Sequence, residues 1–300
     1  MHVKARVLFQ LARIPNSLTA SADSLVGYLI AAGAAARVDV AIVLMNASML
    51  LYAGGVILND VADADRDRQT RPDRPIPSGA VSTRAAFQLT ILALLIGVVL
   101  AGWLGVLPLV VSLCLVACVV LYDVILKQTA LAPSAMGGCR ALNVLLGVAA
   151  SGGFSLAGIL ASVIMWVYVT SLTLFARRED TGGHVDNLVG GFVGVCVAIP
   201  AAGLLGLFAE AGPRDAYFSR GVLPGLLFAA LLLVPSLTAG LDAIRRPEPA
   251  RIQRAVKTFV LGIVVLDAAM VGGFRGWIYG LLVLAIFIPA RRLASQFRVT

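Results

Sequence analysis

Residues 59–79 read NDVADADRDRQTRPDRPIPSG and hold five of the sixteen carboxylates of a 300-residue chain, with four arginines among them. Continued as a helix from the apolar run before it, this stretch sets Asn59, Asp60, Asp63 and Asp67 within a sector of about 100°. Asp65 points elsewhere. Like charges at this spacing repel and weaken a helix, and a bound cation removes that cost. Hard oxygen ligands suit Mg²⁺, which keeps several waters and bridges one or two carboxylates to substrate phosphates. Arg66, Arg68, Arg71 and Arg74 offer planar donors to phosphate oxygens. Pro72, Pro75 and Pro77 cannot continue the helix, and Gly79 gives freedom for the turn that follows. The pattern points to a metal-held diphosphate and Lewis-acid chemistry. The alternative is a solvated charged loop that holds topology.

The elements that must position this cluster are apolar. The chain is 59% hydrophobic and 13% charged, with a mean hydropathy of +0.93, against about 25% charged in average globular usage. Uncharged stretches recur that are long enough to cross a hydrocarbon core of ~30 Å. The expected fold is all-α, a polytopic transmembrane bundle of nine to ten helices forming one domain over residues 1–300. The spans fall at roughly 18–36, 40–58, 85–102, 104–122, 133–150, 155–176, 188–209, 221–241, 256–272 and 275–290. Only GGFRG (272–276) divides the last two.

The net charge of +8 reads as membrane topology rather than nucleic-acid binding, because basic residues collect in cytoplasmic loops. Ten spans with the N-terminus inside put most Lys and Arg on that side. Arg37, Arg214, Arg220 and Arg275 remain opposite, and Arg140 lies within a span. The loops 59–84, 123–132 and 177–187 then emerge together on the cytoplasmic face and can converge on one cavity. The N-terminus lacks a signal-peptide layout. Cys114, Cys118, Cys139 and Cys196 lie in or beside apolar segments without metal-type spacing. Charged residues inside spans usually face an interior partner. Arg140 and Asn143, at i and i+3, are placed to face a polar cavity, where Arg140 would hold a diphosphate or an acidic acceptor. The alternative for Arg140 is an interhelical bond to Asp23 or Asp267.

The run N59-D-V-A-D-A-D-R-D67 resembles the NDxxDxxxD signature of the UbiA superfamily of intramembrane prenyltransferases. R71-P-D-R-P-I-P-S-G79 resembles that family's continuation, and RIPNSLTASADSLVGY (13–28) is similar to its first-helix entry. The resemblance implies a reaction in which Mg²⁺ on Asp60, Asp63 and Asp67 holds a prenyl diphosphate. That substrate ionises and alkylates a lipophilic acceptor, aromatic or otherwise, within the bilayer. A dry helical cavity suits the tail and shields a carbocation from water. The resemblance also carries Lys127 as a diphosphate contact and Asn16, Asn59, Arg71 and Arg74 as substrate-binding positions; Tyr122 either orients substrate or marks the membrane interface, where tyrosines collect. Here the family's YxxxK element departs from pattern, since four residues separate Tyr122 from Lys127.

The third loop, FARREDTGGHVDN (175–187), stands where the family has a second acid motif. Glu179 and Asp180 match metal-ligand positions, but Ala176 and Gly183 replace expected acids. Fewer anionic ligands imply a weak second metal site, with Arg177 and Arg178 taking diphosphate charge directly. ARRED, YDVILKQT and CRALN together resemble the EboC-like branch. Two other classes stay open: a transporter path through Asp23, Arg140 and Asp267, and a prenyl-diphosphate binder with a degraded site.

Overall fold

A computed structural model describes residues 2–177, 185–208 and 222–296, and among them the chain forms twelve α-helices and no strand. A short α1 (His2–Leu11) precedes α2 (Ile14–Ala32), and Arg13 turns the chain between them with a left-handed backbone, φ 43°. Pro15 sits in the first turn of α2, where its missing N–H leaves no gap in the helix. The order continues with α3 (Val38–Ala62), α4 (Ala64–Thr70), α5 (Thr83–Leu104) and α6 (Val106–Leu121). A π-helical turn, Tyr122–Leu126, extends α6. After it come α7 (Ala132–Ala149), α8 (Leu156–Phe175), α9 (Val185–Leu204), α10 (Leu223–Arg245), α11 (Pro249–Arg275) and α12 (Trp277–Gln296).

All ten predicted spans fall on helices. Eight are long and apolar enough to cross a membrane. The other two are α7, whose apolar run carries Arg140 and Asn143, and α12, apolar over Trp277–Ile286. Gly276, at φ 92°, makes the break between α11 and α12 that the sequence left weakest. Large apolar side chains on α5 and α6, among them Leu95, Val99, Trp103 and Val110, are exposed. In a bilayer they face hydrocarbon, and the helices satisfy their own backbone groups there. The chain is an integral, multi-pass membrane protein.

The interior is organised around α2, which packs against α3, α7, α11 and α12. Its contact with α7 is backbone on backbone. A Cβ on Gly147 would stand 1.8 Å from the Ser24 carbonyl oxygen, and one on Gly27 2.1 Å from that of Val144. Small residues permit this approach in membrane bundles, and here it brings Asp23 and Arg140 together. The larger apolar core joins α8–α11 around Tyr168, Phe175 and Phe259, with the Tyr168 hydroxyl donating to the Phe259 carbonyl at 2.8 Å. A smaller cluster of Leu11, Ile57, Ala64, Ile76 and Ala86 ties α1, α3, α4, the proline-rich turn and α5 into one unit. Within that turn Val81 N–H donates to the Pro75 carbonyl at 3.0 Å, and Gly79 adopts φ 76°. Ser82 then caps α5 by accepting from Ala85 N–H.

Candidate active site

The acid stretch does not continue α3 as one straight helix. α3 ends at Ala62, and Asp63, at φ −89° and ψ 0°, links it to α4. Its N–H still reaches the Asn59 carbonyl, and Asp67 N–H reaches the Asp63 carbonyl, so the bend changes direction while keeping most of the helical phase. The expected single face of three carboxylates therefore splits. Asp63 and Asp67 line a cavity, whereas Asp60 does not. Asp60 is 6% exposed and accepts from Arg13 Nη2 at 2.8 Å and Arg74 Nη1 at 3.4 Å. The same Arg74 nitrogen donates to Asp67 Oδ2 at 2.6 Å. Asp65 points away, as its phase predicts, and pairs with Arg68 on the surface.

Opposite this wall stands the π turn. Lys127 N–H donates to the Tyr122 carbonyl at 2.9 Å, the i to i+5 bond of a π-helix. The wider turn absorbs the extra residue between Tyr122 and Lys127, so both side chains still line the cavity. Lys127 Nζ pairs with Asp63 Oδ2. Next to it Asp123, buried, accepts from Asn59 Nδ2 at 2.7 Å. Asp123 joins α3 to α6, and the sequence reading passed over it. Its only signal is a carboxylate placed where an apolar span ends.

The cavity holds about 670 Å³ between α3, α4, α6 and α7. Its rim carries Arg13, Arg66, Arg71, Arg74 and Lys127 against Asp63, Asp67 and Asp123. Bases outnumber acids, and such a rim attracts an anion. Gly55, Val56, Val119, Met136 and Cys139 form an apolar waist below, and Tyr52, Arg140 and Asn143 lie beyond it. The thiols of Cys139 and Cys118 touch at 3.5 Å.

Metal binding can be judged from the donors present. Asp63 and Asp67 each commit Oδ2 to a cation and Asp60 commits Oδ1 to two, so one oxygen of each has no partner among the described residues, and of the three Asp63 and Asp67 line the cavity. No group of three or more His, Cys, Asp or Glu is preassembled among those residues. Two carboxylates with open oxygens fit Mg²⁺, which takes one or two protein carboxylates and completes its octahedron with water and phosphate.

The remaining predicted positions divide. Arg71, Arg74, Tyr122, Lys127, Asn59, Arg140 and Asn143 line the cavity. Asn16 does not; it lies in the first turn of α2, and its carbonyl accepts from Thr19 Oγ1. Arg177 donates to the Thr129 carbonyl at 3.0 Å, away from the cavity lining. Arg178, Glu179 and Asp180 lie outside the described residues. The interhelical alternative for Arg140 is realised, with Nη1 donating to Asp23 Oδ2 at 2.6 Å. Arg13 and Tyr52 are cavity-lining residues that sequence reasoning missed. Arg13 was legible only as a charge at the mouth of the first span.

Known proteins share this architecture. A UbiA homologue from Archaeoglobus fulgidus, solved bound to GPP and Mg²⁺, superposes with a TM-score of 0.63 at 14% identity, covering 88% of this chain and 99% of that one. A structure of digeranylgeranylglyceryl phosphate synthase in membranes gives a TM-score of 0.68 at 18% identity, over 91% of this chain and 99% of the other. In sequence, the digeranylgeranylglyceryl phosphate synthase of Halobacterium salinarum is 29% identical over 294 residues, 89% of this chain and 97% of that protein. The enzyme of the same name from Methanothrix thermoacetophila is 26% identical over 271 residues, 90% and 93% of the two chains. At these identities the structures speak for the fold. The profile of the UbiA prenyltransferase family matches residues 23–257, most of the chain and all of the cavity-lining helices α3, α4, α6 and α7. The chain belongs to the UbiA prenyltransferase family.

Proposed function

We propose that this chain moves an isoprenoid from a prenyl diphosphate to a lipophilic acceptor inside the membrane, with the charged rim facing the cytoplasm and residues 1–300 acting as one domain. The observation that carries the reading is the juxtaposition of two half-open carboxylates, Asp63 and Asp67, with the rim cations above an apolar waist. Bound Mg²⁺ would neutralise the diphosphate and stabilise it as a leaving group. Asp63 and Asp67 would hold that ion. Lys127, Arg66 and Arg71 donate to phosphate oxygens, and Lys127 can exchange its bond to Asp63 for one to phosphate because both side chains are only partly buried. Arg13 and Arg74 keep Asp60 and Asp67 in place from the rim.

In the transfer itself the C1–O bond breaks and its electron pair leaves with the diphosphate. A lone pair or π bond of the acceptor forms the new bond to C1, and the acceptor loses a proton. Val56, Val119 and Met136 exclude water from that centre. The relatives' names and bound GPP and Mg²⁺ support this substrate class. Membranes containing the protein, Mg²⁺, labelled geranyl or geranylgeranyl diphosphate and a lipid extract test it. Label should enter a new lipid-soluble product, which Asp63→Asn reduces about a hundredfold or more and EDTA abolishes. Product that persists in Asp63→Asn would sink the assignment of the site.

A further inference from the structure

Beyond its apolar waist the cavity ends on a second polar group. Arg140 on α7 and Tyr52 on α3 line this end, with the guanidinium carbon 5.3 Å from the Tyr52 ring centroid. Tyr52 precedes Asn59 by seven positions on α3, which places the group about 10 Å below the rim. Arg140 Nη1 is committed to Asp23. Its Nε and Nη2 reach no acceptor among the described residues, and the Tyr52 hydroxyl has no partner there either, while the Arg140 side chain keeps 14% exposure. Asn143 beside them is occupied at both ends: Ser48 Oγ donates to its Oδ1 at 2.8 Å, and its Nδ2 donates to the Ala20 carbonyl at 2.6 Å. Unpaired donors at the bottom of an apolar cavity call for an oxygen.

Charge decides which oxygen. Behind Arg140 stand two acids. Asp23 and Asp267 are both fully buried, lie against each other, and neither Asp267 oxygen meets an N–H or O–H donor among the described residues. With Asp267 neutral the group of three carries no net charge; with it ionised the group is negative. In neither state does Arg140 have positive charge to spare, and an incoming anion would face Asp23 across the guanidinium. A carbonyl, ester, ether or hydroxyl oxygen accepts from Arg140 without adding charge.

We propose that Arg140 and Tyr52 read a neutral oxygen of the acceptor, a carbonyl, ester, ether or hydroxyl group rather than a carboxylate. This rests on the prenyl-transfer reading for the role of acceptor; the binding is independent of turnover. It also revises the sequence expectation that Arg140 would hold a diphosphate or an acidic acceptor.

The test titrates the full chain in nanodiscs with methyl 2-naphthoate and with 2-naphthoate, an ester and a carboxylate of one skeleton. Geranyl diphosphate with Mg²⁺ is titrated separately, and Arg140→Gln protein in the same discs corrects for partitioning. The ester should bind wild type about tenfold tighter than Arg140→Gln, the worth of one charged hydrogen bond. The carboxylate should show no such difference. Asp23→Asn frees the guanidinium, and the carboxylate should then gain about tenfold. Tyr52→Phe keeps the ring under Arg140 and should weaken the ester about threefold, which covers the case in which Asp23→Asn does not fold. A wild-type preference for the carboxylate, or an ester affinity unchanged in both Arg140→Gln and Tyr52→Phe, overturns the proposal. Ester discrimination without geranyl diphosphate binding supports the oxygen site and removes the prenyl-transfer reading instead.

Discussion

The two polar regions of this molecule use the same chemistry to opposite ends. At the rim, aspartates meet cations that also face the cavity; Asp63 and Lys127 each keep 23% side-chain exposure. Partly exposed pairs of this kind are worth little in stability, so they open easily for an incoming anion. At the cavity floor, Asp23 and Asp267 are completely buried and Arg140 nearly so. Losing one partner there strands a charge in a medium that cannot solvate it, at several kcal/mol. The rim is therefore built for exchange and the floor for fixed orientation. Arg74 belongs to neither class cleanly, since it sits at the rim but joins two buried carboxylates.

The contrast can be broken at several points. The largest effect should come from Gly147→Ala. A methyl group there meets the Ser24 backbone at 1.8 Å, and no rotamer relieves a clash with backbone, so α2 and α7 must part and the floor loses its geometry. We expect a loss of about 3 kcal/mol, read as a collapse of the monodisperse peak in size-exclusion chromatography. Folded Gly147→Ala protein with normal melting would show that the floor tolerates looseness.

Arg74→Ala should follow, lowering stability by about 2 kcal/mol, because Asp60 and Asp67 both lose a partner while Asp60 keeps Arg13. Thermal melting in detergent reads it, and a shift under 1 °C would place Arg74 with the exchangeable rim. Lys127→Met sharpens the comparison from the other side. Melting should change little, while prenyl diphosphate affinity falls about tenfold; an unchanged affinity would mean that Lys127 serves Asp63 alone. The smallest effect belongs to Asp65→Ala. Asp65 is almost fully exposed and pairs only with Arg68 on the surface, so both melting and transfer should stay at wild-type values within about 0.5 kcal/mol. A large loss of transfer in this variant would contradict the split of the acid stretch into cavity-facing and outward residues.

Much of the site was legible in the chain. Asn59, Asp63, Asp67, Arg71, Arg74 and Lys127 were found from residue type, helical phase and motif, and all line the cavity. Phase failed for Asp60 because it describes one helix, and says nothing of what covers that helix. Arg13 lies 47 residues away, donates to Asp60 and lines the cavity where Asp60 does not. The spacing of Tyr122 and Lys127 looked defective because an α-helical turn was assumed; a π turn makes five residues do the work of four. Asp123 was invisible as a partner of Asn59 because 64 residues separate them.

The sequence by itself determined the membrane class, the ten helical segments and most of the charged residues that reach the rim. Those properties are written in local composition and in the period of one element, which act between residues a few positions apart. Only the tertiary structure decided which carboxylates reach the cavity and what stands at its floor. Asp23 and Arg140 are 117 residues apart, and their meeting depends on two glycines that let α2 and α7 touch backbone to backbone. Contacts of that range follow from how helices pack, and packing depends on the side-chain shapes of every neighbour at once.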